Sequence, residues 1–394
     1  MLVGPRRSLA STVSAACSIV NSRPKTKGTP SIGPKIVGES AVGRVTSSVE
    51  TVRSTMAGHA GRHTLLVLIP IYNDWPAVAL LLPGLDRVLA AAGLIADVLL
   101  VDDGSTVGPA TRWLAEDWHA LGRVEVLSLR RNVGHQRAIA IALAFVHQHL
   151  SPEALVVMDG DGEDAPEDVP RLLACLHQSA QSPVVFAERT RRSESLTFRV
   201  FYALYRWAHL LLTGIPVRVG NFSVIPFQQL RKLVVVSELW NHYAAAVFKA
   251  RLPRASVPTV RAPRLAGRPR MNFVDLVTHG LSALSVHSEL IAVRLLVVAA
   301  ILGALLPSGL VAVLAIRFLT PAAIPGWTST AVGLLLILLF QVFAFASLFA
   351  FLVLHTRSQP TFIPLRDFDY FVDQCATLVA SGGGNRSSSM RHAG

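Results

Sequence analysis

Two long segments without charged residues set the strongest limit on how this chain folds. Leu295–Ile316 spans 22 residues between Arg294 and Arg317, and Ala331–Leu354 spans 24 residues. At about 1.5 Å per helical residue, each segment is long enough to cross a hydrocarbon layer of roughly 30 Å. The sequence therefore predicts a two-helix transmembrane hairpin over residues 291–356, with two buried helices of a soluble core as the alternative.

The charges around these segments predict the orientation of the hairpin. The connection Arg317–Thr330 holds one basic residue, whereas the flanking regions are rich in arginine. Because positively charged loops stay on the cytoplasmic side, we expect the long N-terminal part to lie in the cytoplasm. The same rule places residues 357–394 there as a cytoplasmic C-terminal tail.

The N-terminal 60 residues differ from the rest of the chain in composition. They are rich in Ser, Thr, Gly and Pro and carry eight Lys or Arg residues against Glu39 and Glu50. This composition predicts a disordered basic arm over residues 1–60. The formal charge of +12 does not indicate a nucleic-acid partner, because the arginines flank apolar segments or lie in this arm and no nucleic-acid-binding motif is present.

Residues 61–290 alternate between apolar runs of strand length and segments of helical period. This alternation predicts an α/β domain with a mainly parallel sheet and helices on both faces. The predicted helices include Trp75–Ala92 and His135–His149. The predicted strands are residues 64–69, 97–101, 124–129, 154–158 and 183–187.

Polar residues follow each predicted strand. Ligands of such sheets bind beyond the carboxyl ends of the strands, so we expect these residues to meet at one edge and to bind a charged ligand. The motifs of dinucleotide-binding proteins and of P-loop NTPases are absent from the sequence. The residues are Pro70, Tyr72, Asn73 and Asp74, then Asp102 and Asp103, then Arg130, Asn132 and Gly134, then Asp159 and Asp161, and finally Glu188 and Arg189.

The acidic stretch "MDGDGEDAPE" carries the most specific chemistry. Asp159 and Asp161 follow a buried strand with the spacing Asp-x-Asp. Carboxylate oxygens in this arrangement suit a hard divalent cation such as Mg²⁺ or Mn²⁺. Such a cation can bridge a diphosphate and neutralise the charge that develops on it as a leaving group. We therefore expect a metal and a phosphorylated donor here.

Four motifs in order, "IPIYND", "VDDGS", "RRNVGHQRA" and "MDGDGEDAPE", resemble those of the family-2 glycosyltransferases with a GT-A fold. The most similar subgroup is the dolichol-phosphate mannose synthase-like polyprenyl-phosphate glycosyltransferases. The resemblance covers roughly residues 64–362 and includes the apolar hairpin.

The resemblance implies a role for each matched residue. An alternative for Asp102 and Asp103 is helix capping by an Asp-Gly-Ser turn. By resemblance, Pro70, Tyr72 and Asn73 line a nucleotide pocket, Asp102 and Asp103 contact base and ribose, Arg130, Asn132 and Gly134 complete that pocket, Asp159 and Asp161 hold the metal and the diphosphate, and Arg189 meets the acceptor phosphate.

Two segments depart from the family pattern. In "VGNFSVIP", Asn221 stands where the family often has aspartate, and Ser223 where it often has arginine. We interpret Asn221 as a polar catalytic contact rather than a base, because a phosphate acceptor is already largely ionised. In "RLAGRPRMNF", Arg268 and Arg270 are expected to clamp the acceptor phosphate, or else to contact anionic lipid headgroups.

The resemblance implies an inner-membrane, multi-pass glycosyltransferase that takes a sugar from a nucleotide-sugar donor to a polyprenyl phosphate, with inversion and metal dependence. It also allows a homo-oligomer. Two alternatives stay open: a catalytically inactive nucleotide-binding membrane scaffold, and a transferase that acts on a lipid hydroxyl. A processive polysaccharide synthase is disfavoured, because Ala203 replaces the glutamine that usually precedes Arg206-Trp207 in those proteins.

Overall fold

The computed structural model describes residues 18–19, 65–109, 118–189, 207, 209–214, 219–267, 273–320, 326–358 and 362–380. These residues divide between two compact units. The sheet unit contains the described residues up to 189, residues 219–267 and residues 362–380. The helical unit contains the described residues of 207–214 and those of 273–358.

The sheet unit alternates strands and helices along the chain, as the sequence predicts. Short 3₁₀ turns lie at Pro166–Asp168, Ser237–Trp240 and Phe368–Tyr370. The elements are β1 (Ser18–Ile19), β2 (Leu65–Ile71), α1 (Trp75–Ala91), β3 (Ala96–Asp102), β4 (Leu121–Leu129), α2 (His135–His149), β5 (Ala154–Val157), α3 (Val169–His177), β6 (Val184–Arg189), β7 (Val219–Pro226), α4 (Phe227–Leu233), α5 (Tyr243–Lys249) and β8 (Arg254–Thr259).

The helical unit and the returning C-terminal segment complete the described chain. In the helical unit lie α6 (Phe273–Ser285), α7 (Ser288–Leu319) and α8 (Trp327–Ser358). The chain then re-enters the sheet unit with α9 (Pro364–Asp367) and β9 (Val372–Ala380).

The strands form one sheet in the order β1-β8-β6-β7-β5-β2-β3-β4-β9. Parallel pairing joins β2 to β3 and β5, β3 to β4, and β6 to β8, so the prediction of a mainly parallel α/β sheet is confirmed. Strand β7 lies between β5 and β6 and is antiparallel to both. All five predicted strands therefore run in one direction, and β7 starts at the edge where they end.

Helices cover both faces of the sheet, which explains why the strands are apolar at nearly every position. In β2, Leu66 and Leu68 face one core and Leu65 and Val67 face the other, with all four buried. Helices α1 and α3 pack on the second face, and α2, α4 and α5 pack on the first. The result is a three-layer α/β/α unit.

The C-terminal segment is part of this unit rather than a separate tail. Helix α2 is buried at every residue from Ala138 to Val146, although a surface helix ordinarily keeps a polar face. Phe368, itself 2% exposed, packs against Phe145 with ring centroids 6.4 Å apart. Strand β9 then pairs antiparallel with β4 at the end of the sheet. Residues 364–380, which the sequence grouped with the tail, thus cover α2 and extend the sheet.

The two apolar segments of the sequence lie within α7 and α8, each 32 residues long. Both helices are long and apolar enough to cross a membrane. They pack against each other, with Gly303 next to Val342 and Gly309 next to Leu335. Large apolar side chains such as Phe340 (73% exposed) lie on the outside. Such exposure does not fit buried helices of a soluble core, and it suits a lipid environment.

Gly104 provides a test of how the loops after β3 and β4 fit together. Its φ is +72°, and an added Cβ would lie 2.7 Å from the backbone nitrogen of Asn132. We expect Gly104→Ala to lower the free energy of unfolding by about 1–3 kcal/mol, because backbone atoms cannot move aside cheaply. The control is Gly108→Ala, where no atom lies within 4 Å of the added carbon. Thermal unfolding in detergent checks this, and equal midpoints for the two variants would contradict it.

Candidate functional site

The carboxyl ends of the parallel strands lie level with one another. Ile71 of β2 pairs with Asp102 of β3, and Asp102 pairs with Ser128 of β4. Strand β5 ends three residues earlier, since its last residue, Val157, pairs with Leu68 of β2, which itself continues to Ile71. The residues after β5 therefore run along the same edge, which we call the carboxyl edge.

Asn73 joins the loops that follow β2 and β3. Its backbone is left-handed, with φ of 54°, and its Oδ1 accepts hydrogen bonds from the N–H groups of Thr106 at 2.8 Å and Val107 at 3.2 Å. The backbone N–H of Asn73 donates to Ser105 Oγ at 2.8 Å, and Asp102 Oδ1 accepts from the N–H of Ser105 at 2.9 Å. The Asp-Gly-Ser turn weighed from the sequence is thus present.

Asp103 connects β3 to the beginning of α2. It is 3% exposed, and its two carboxylate oxygens accept the N–H groups of Val133 at 2.7 Å and Gly134 at 2.9 Å. Burial raises the pKa of Asp103, although both backbone hydrogen bonds act to lower it. Asp103 therefore has a clear structural task, and its contact with a nucleotide stays a prediction.

The other residues predicted for the nucleotide pocket lie around this turn. Tyr72 is 39% exposed at the edge, and Pro70 is buried within β2. Arg130 is directed to the C-terminal segment, where its Nε donates to the carbonyl of Val372 at 3.0 Å. Sequence reasoning did not connect this segment with the site, because the partner lies 242 residues along the chain.

The acidic loop after β5 is shaped by its own carboxylates. Asp164, which is 3% exposed, accepts the N–H of Asp159 at 3.0 Å. Gly160 lies under the end of β2, where an added Cβ would be 3.1 Å from the methyl carbons of both Ile69 and Ile71. This close approach explains the small residue between Asp159 and Asp161. The hydrogen bond of Asp164 shows that at least one carboxylate of the acidic stretch has a structural role.

The surroundings of Asp161 disfavour its charged form. Burial raises the pKa of Asp161, and the charge of Asp159 raises it further, while Arg264 and Arg261 oppose both effects. Two half-buried carboxylates of this kind favour a nearby cation. Among the residues that the structure describes, no group of three or more His, Cys, Asp or Glu side chains is placed to hold a metal ion. A metal held by this pair would need further oxygens from a ligand.

Residues 260–267, which we call the arginine strap, follow β8 and lie along the acidic loop. The N–H groups of Ala262 and Leu265 donate to the carbonyls of Glu163 and Asp161, both at 3.0 Å. These bonds place the strap side by side with residues 161–163.

Arg264 is the central side chain of the strap. Its Nη1 lies 3.1 Å from Asp161 Oδ2, and its Nη2 lies 3.4 Å from Asp74 Oδ1. Arg261 forms an ion pair with Glu163. Sequence reasoning missed Arg264, although it stands at the start of the "RLAGRPR" segment that was singled out. The available signal was a run of arginines after a strand, and only the later ones were chosen.

Of the residues predicted to meet the acceptor phosphate, the structure describes only the backbone of Arg189. Arg189 ends β6, where its backbone pairs with Thr259 at the last position of β8. The carboxyl edge therefore includes this position, while the Arg189 side chain lies outside the described part. Arg268 and Arg270 also lie outside the described residues.

A second cluster joins the acidic loop to the beginning of β7. His135 Nε2 lies 3.2 Å from Asp159 Oδ1 and 3.0 Å from Asn221 Nδ2. Asn221 Oδ1 accepts a hydrogen bond from Gln136 Nε2 at 3.1 Å. The protein atoms around His135 act to lower its pKa, but the carboxylate of Asp159 outweighs them, and the pKa is raised. Asn221 thus lies beside the acidic loop, and its catalytic role stays a prediction, whereas Gln136 was not anticipated.

The second departure from the family pattern, Ser223, is fully buried. Its Oγ donates to the carbonyl of Asn221 at 2.9 Å and lies 2.6 Å from the hydroxyl of Tyr243. Burial raises the pKa of Tyr243 well above its usual range. A serine here therefore belongs to the support of Asn221. Together the carboxyl edge presents carboxylates, arginines and an amide, a set suited to a polyanion bound with a cation.

Comparison with known proteins finds similarity over part of the chain. The model of Glycosyl transferase family 2 matches residues 66–233. An undecaprenyl-phosphate 4-deoxy-4-formamido-L-arabinose transferase of Klebsiella pneumoniae is 33% identical over 131 residues, which are 33% of this chain and 38% of that protein. The protein of that name from Salmonella paratyphi B is 28% identical over 130 residues, with the same coverage. The chain thus spans well under half the length of these curated relatives.

Solved structures with partial similarity include glucosyl-3-phosphoglycerate synthase from Mycobacterium tuberculosis in complex with Mn²⁺, UDP and glucosyl-3-phosphoglycerate. It is 19% identical, with a TM-score of 0.37 over 60% of this chain and 81% of that one. Mannosyl-3-phosphoglycerate synthase from Rubrobacter xylanophilus is 16% identical, with a TM-score of 0.40 over 57% and 72%.

The family match begins in β2 and ends in α4, so it contains Asp159, Asp161 and Asn221. The acidic loop and the amide cluster therefore belong to the segment, residues 66–233, that is similar to Glycosyl transferase family 2.

Proposed function

We propose that this protein is a membrane-bound glycosyltransferase that moves a sugar from a nucleotide-sugar donor to a polyprenyl phosphate, with inversion. The observation that carries the proposal is the pair Asp159 and Asp161 at the carboxyl edge of a family-2 domain. The name of the curated relatives, which specifies undecaprenyl phosphate, and the two membrane-length helices support a lipid acceptor. The positive-inside pattern supports a cytoplasmic catalytic domain in the inner membrane.

The donor half of the proposal rests on the loops after β2, β3 and β5. Tyr72, Asn73 and Asp102 are proposed to hold the nucleotide. Asn73 and Asp102 order two adjacent loops at the edge, and Tyr72 is exposed there. Asp159 and Asp161 would hold Mg²⁺ or Mn²⁺ together with oxygens of the donor diphosphate. When bound, such an ion supplies charge neutralisation for the departing nucleoside diphosphate. The carboxylates fit this task because their negative charges repel each other, and a bound cation would relieve that repulsion.

The acceptor half rests on charge rather than on a base. A phosphate monoester has a second pKa near ~6, so at neutral pH its oxygen is already a competent nucleophile. It needs positive charge and orientation, which Arg189, Arg268 and Arg270 are proposed to supply. A lipid hydroxyl would instead need a base, and Asn221 cannot accept a proton in that way. The structure of the cluster thus favours a phosphate acceptor over a hydroxyl.

The first experiment tests donor, acceptor and site together. Full-length protein is incubated with undecaprenyl phosphate and a panel of nucleotide sugars, and the lipid product is identified by mass spectrometry. We expect a glycosyl phosphate that is labile to mild acid. We expect Asp159→Asn and Asp161→Asn each to lower transfer by about 10²–10³-fold, because each removes a charge that the developing diphosphate requires.

The matched control is Glu167→Gln, an exposed carboxylate of the same acidic stretch, which should leave transfer unchanged. Full transfer by Asp159→Asn would refute the site assignment. A product stable to mild acid would favour the hydroxyl acceptor. No turnover of any donor by wild-type protein would favour the inactive scaffold.

Arg264 gives a separate prediction about the cation. Its guanidinium already lies against Asp161 Oδ2, so a divalent ion must displace it or share the carboxylate with it. We expect Arg264→Gln to bind Mn²⁺ alone about tenfold more tightly at pH 7, since a competing charge is removed. Isothermal titration with Mn²⁺ and no nucleotide measures this. Arg171→Gln, which removes an arginine paired with Asp168 elsewhere, is the control, and unchanged or weaker binding by Arg264→Gln would contradict the expectation.

A further inference from the structure

We propose that Gln136 is a positioning residue that sets the direction of the Asn221 side-chain amide, so that this amide presents N–H donors to a phosphate group at the carboxyl edge. The inference rests on the proposed function for its substrate, and it concerns Gln136, to which the resemblance gives no role. It starts from a hydrogen bond whose direction is fixed by the backbone.

The fixed point is the backbone N–H of Tyr243, at the first residue of α5. It donates to Gln136 Oε1 at 2.8 Å. A backbone N–H can only donate, so the carbonyl oxygen of Gln136 must face it. The amide nitrogen of Gln136 then faces Asn221, where Nε2 donates to Oδ1 at 3.1 Å.

The orientation of the Gln136 amide in turn fixes the orientation of the Asn221 amide. Because its oxygen is taken by Gln136, its amide nitrogen must lie on the other side, next to His135 Nε2 at 3.0 Å. Turning the Asn221 amide alone would place two N–H groups face to face at Gln136. Turning both amides would move that conflict to Tyr243, whose backbone cannot turn. The orientation of Asn221 is therefore determined by a residue of α5.

Tyr243 also holds the backbone of Asn221. Ser223 Oγ donates to the Asn221 carbonyl at 2.9 Å, so the tyrosine hydroxyl must donate to Ser223 Oγ across their 2.6 Å contact. Tyr243 and Ser223 are both fully buried, which makes this support rigid. The backbone and the side chain of Asn221 are thus fixed from one anchor.

The fixed direction has a chemical consequence. A primary amide nitrogen carries two hydrogens, and His135 takes at most one of them. The second remains for another acceptor at this edge, where Asp159 Oδ1 lies 3.2 Å from the same imidazole nitrogen. Phosphate oxygens accept such hydrogen bonds, whereas an aspartate at this position would offer only oxygens. Asn221 therefore suits a phosphate group, from the donor diphosphate or from the lipid phosphate.

The test is Gln136→Glu, which keeps the shape of the side chain and reverses its direction. One carboxylate oxygen still accepts from Tyr243, while the other faces Asn221 and turns the amide around. We expect transfer to fall by roughly 10- to 100-fold, the effect of losing one oriented donor. A rise in KM for nucleotide sugar assigns the contact to the donor diphosphate, and a rise in KM for polyprenyl phosphate assigns it to the acceptor.

A double-mutant cycle separates direction from added negative charge. If Gln136 acts through Asn221, Gln136→Glu should cost less than about threefold in an Asn221→Ala background. Simple charge repulsion would cost the same factor in both backgrounds and would overturn the inference, as would wild-type transfer by Gln136→Glu. The neutral Gln136→Met should also lose activity, since it leaves the amide without an anchor, and full activity of that variant would count against the inference.

Binding measurements keep this test independent of sugar transfer. The four proteins of the cycle are titrated with inorganic phosphate and with pyrophosphate, and we expect coupling between positions 136 and 221 for one of them. Absence of transfer by wild-type protein with coupling present would refute the proposed function and keep the inference. Absence of coupling for both anions, with equal factors in any transfer assay, would refute the inference.

Discussion

The repulsion between two half-buried carboxylates at the end of β5 is the constraint around which the site is built. Asp159 raises the pKa of Asp161, and so the surrounding structure must stabilise the charged pair. It does so with Arg264, whose guanidinium lies 3.1 Å from Asp161 Oδ2. Backbone groups order the loop itself, through Asp164 and through the close packing of Gly160 under β2. The negative charge of the two carboxylates is thus offset in part by the positive charge of Arg264.

The direction of the strands explains why these groups meet. Five strands end at the carboxyl edge, and β7 begins there because it runs antiparallel between β5 and β6. A parallel strand over the same span would have placed Asn221 three residues further from this edge, about 10 Å away. Reversal of a single strand therefore brings an amide to the acidic loop, and α5 supplies its anchor through Tyr243.

The sequence predicted the elements whose signals are local. Helix α2 begins and ends at His135 and His149 as expected, and the five strands lie within a few residues of their predicted bounds. The placement of Asp159 and Asp161 at one edge followed from strand direction, whereas Asn221 was singled out only through the resemblance. Contacts between distant parts of the chain were not predictable. Arg264 meets Asp161 across 103 residues, and Gln136 meets Tyr243 across 107. No sequence pattern in either segment predicts which residue it contacts. Strand β9 could not be paired with β4 from the sequence either, because the helical unit lies between them along the chain.

Asn221 and Ser223, the two departures from the family pattern, belong to one hydrogen-bonded cluster with Tyr243. Asn221 without its anchor would be free to present either oxygen or nitrogen to the site, and Ser223 alone would be a buried hydroxyl in need of a partner. The hydroxyl of Tyr243 bonds Ser223 directly, and its backbone N–H orients Gln136, which in turn bonds Asn221. An oriented amide can neither remove a proton nor carry a negative charge, so it adds no repulsion toward an anionic nucleophile. For an acceptor that is already ionised, that neutrality is an advantage that a carboxylate at the same position would not have.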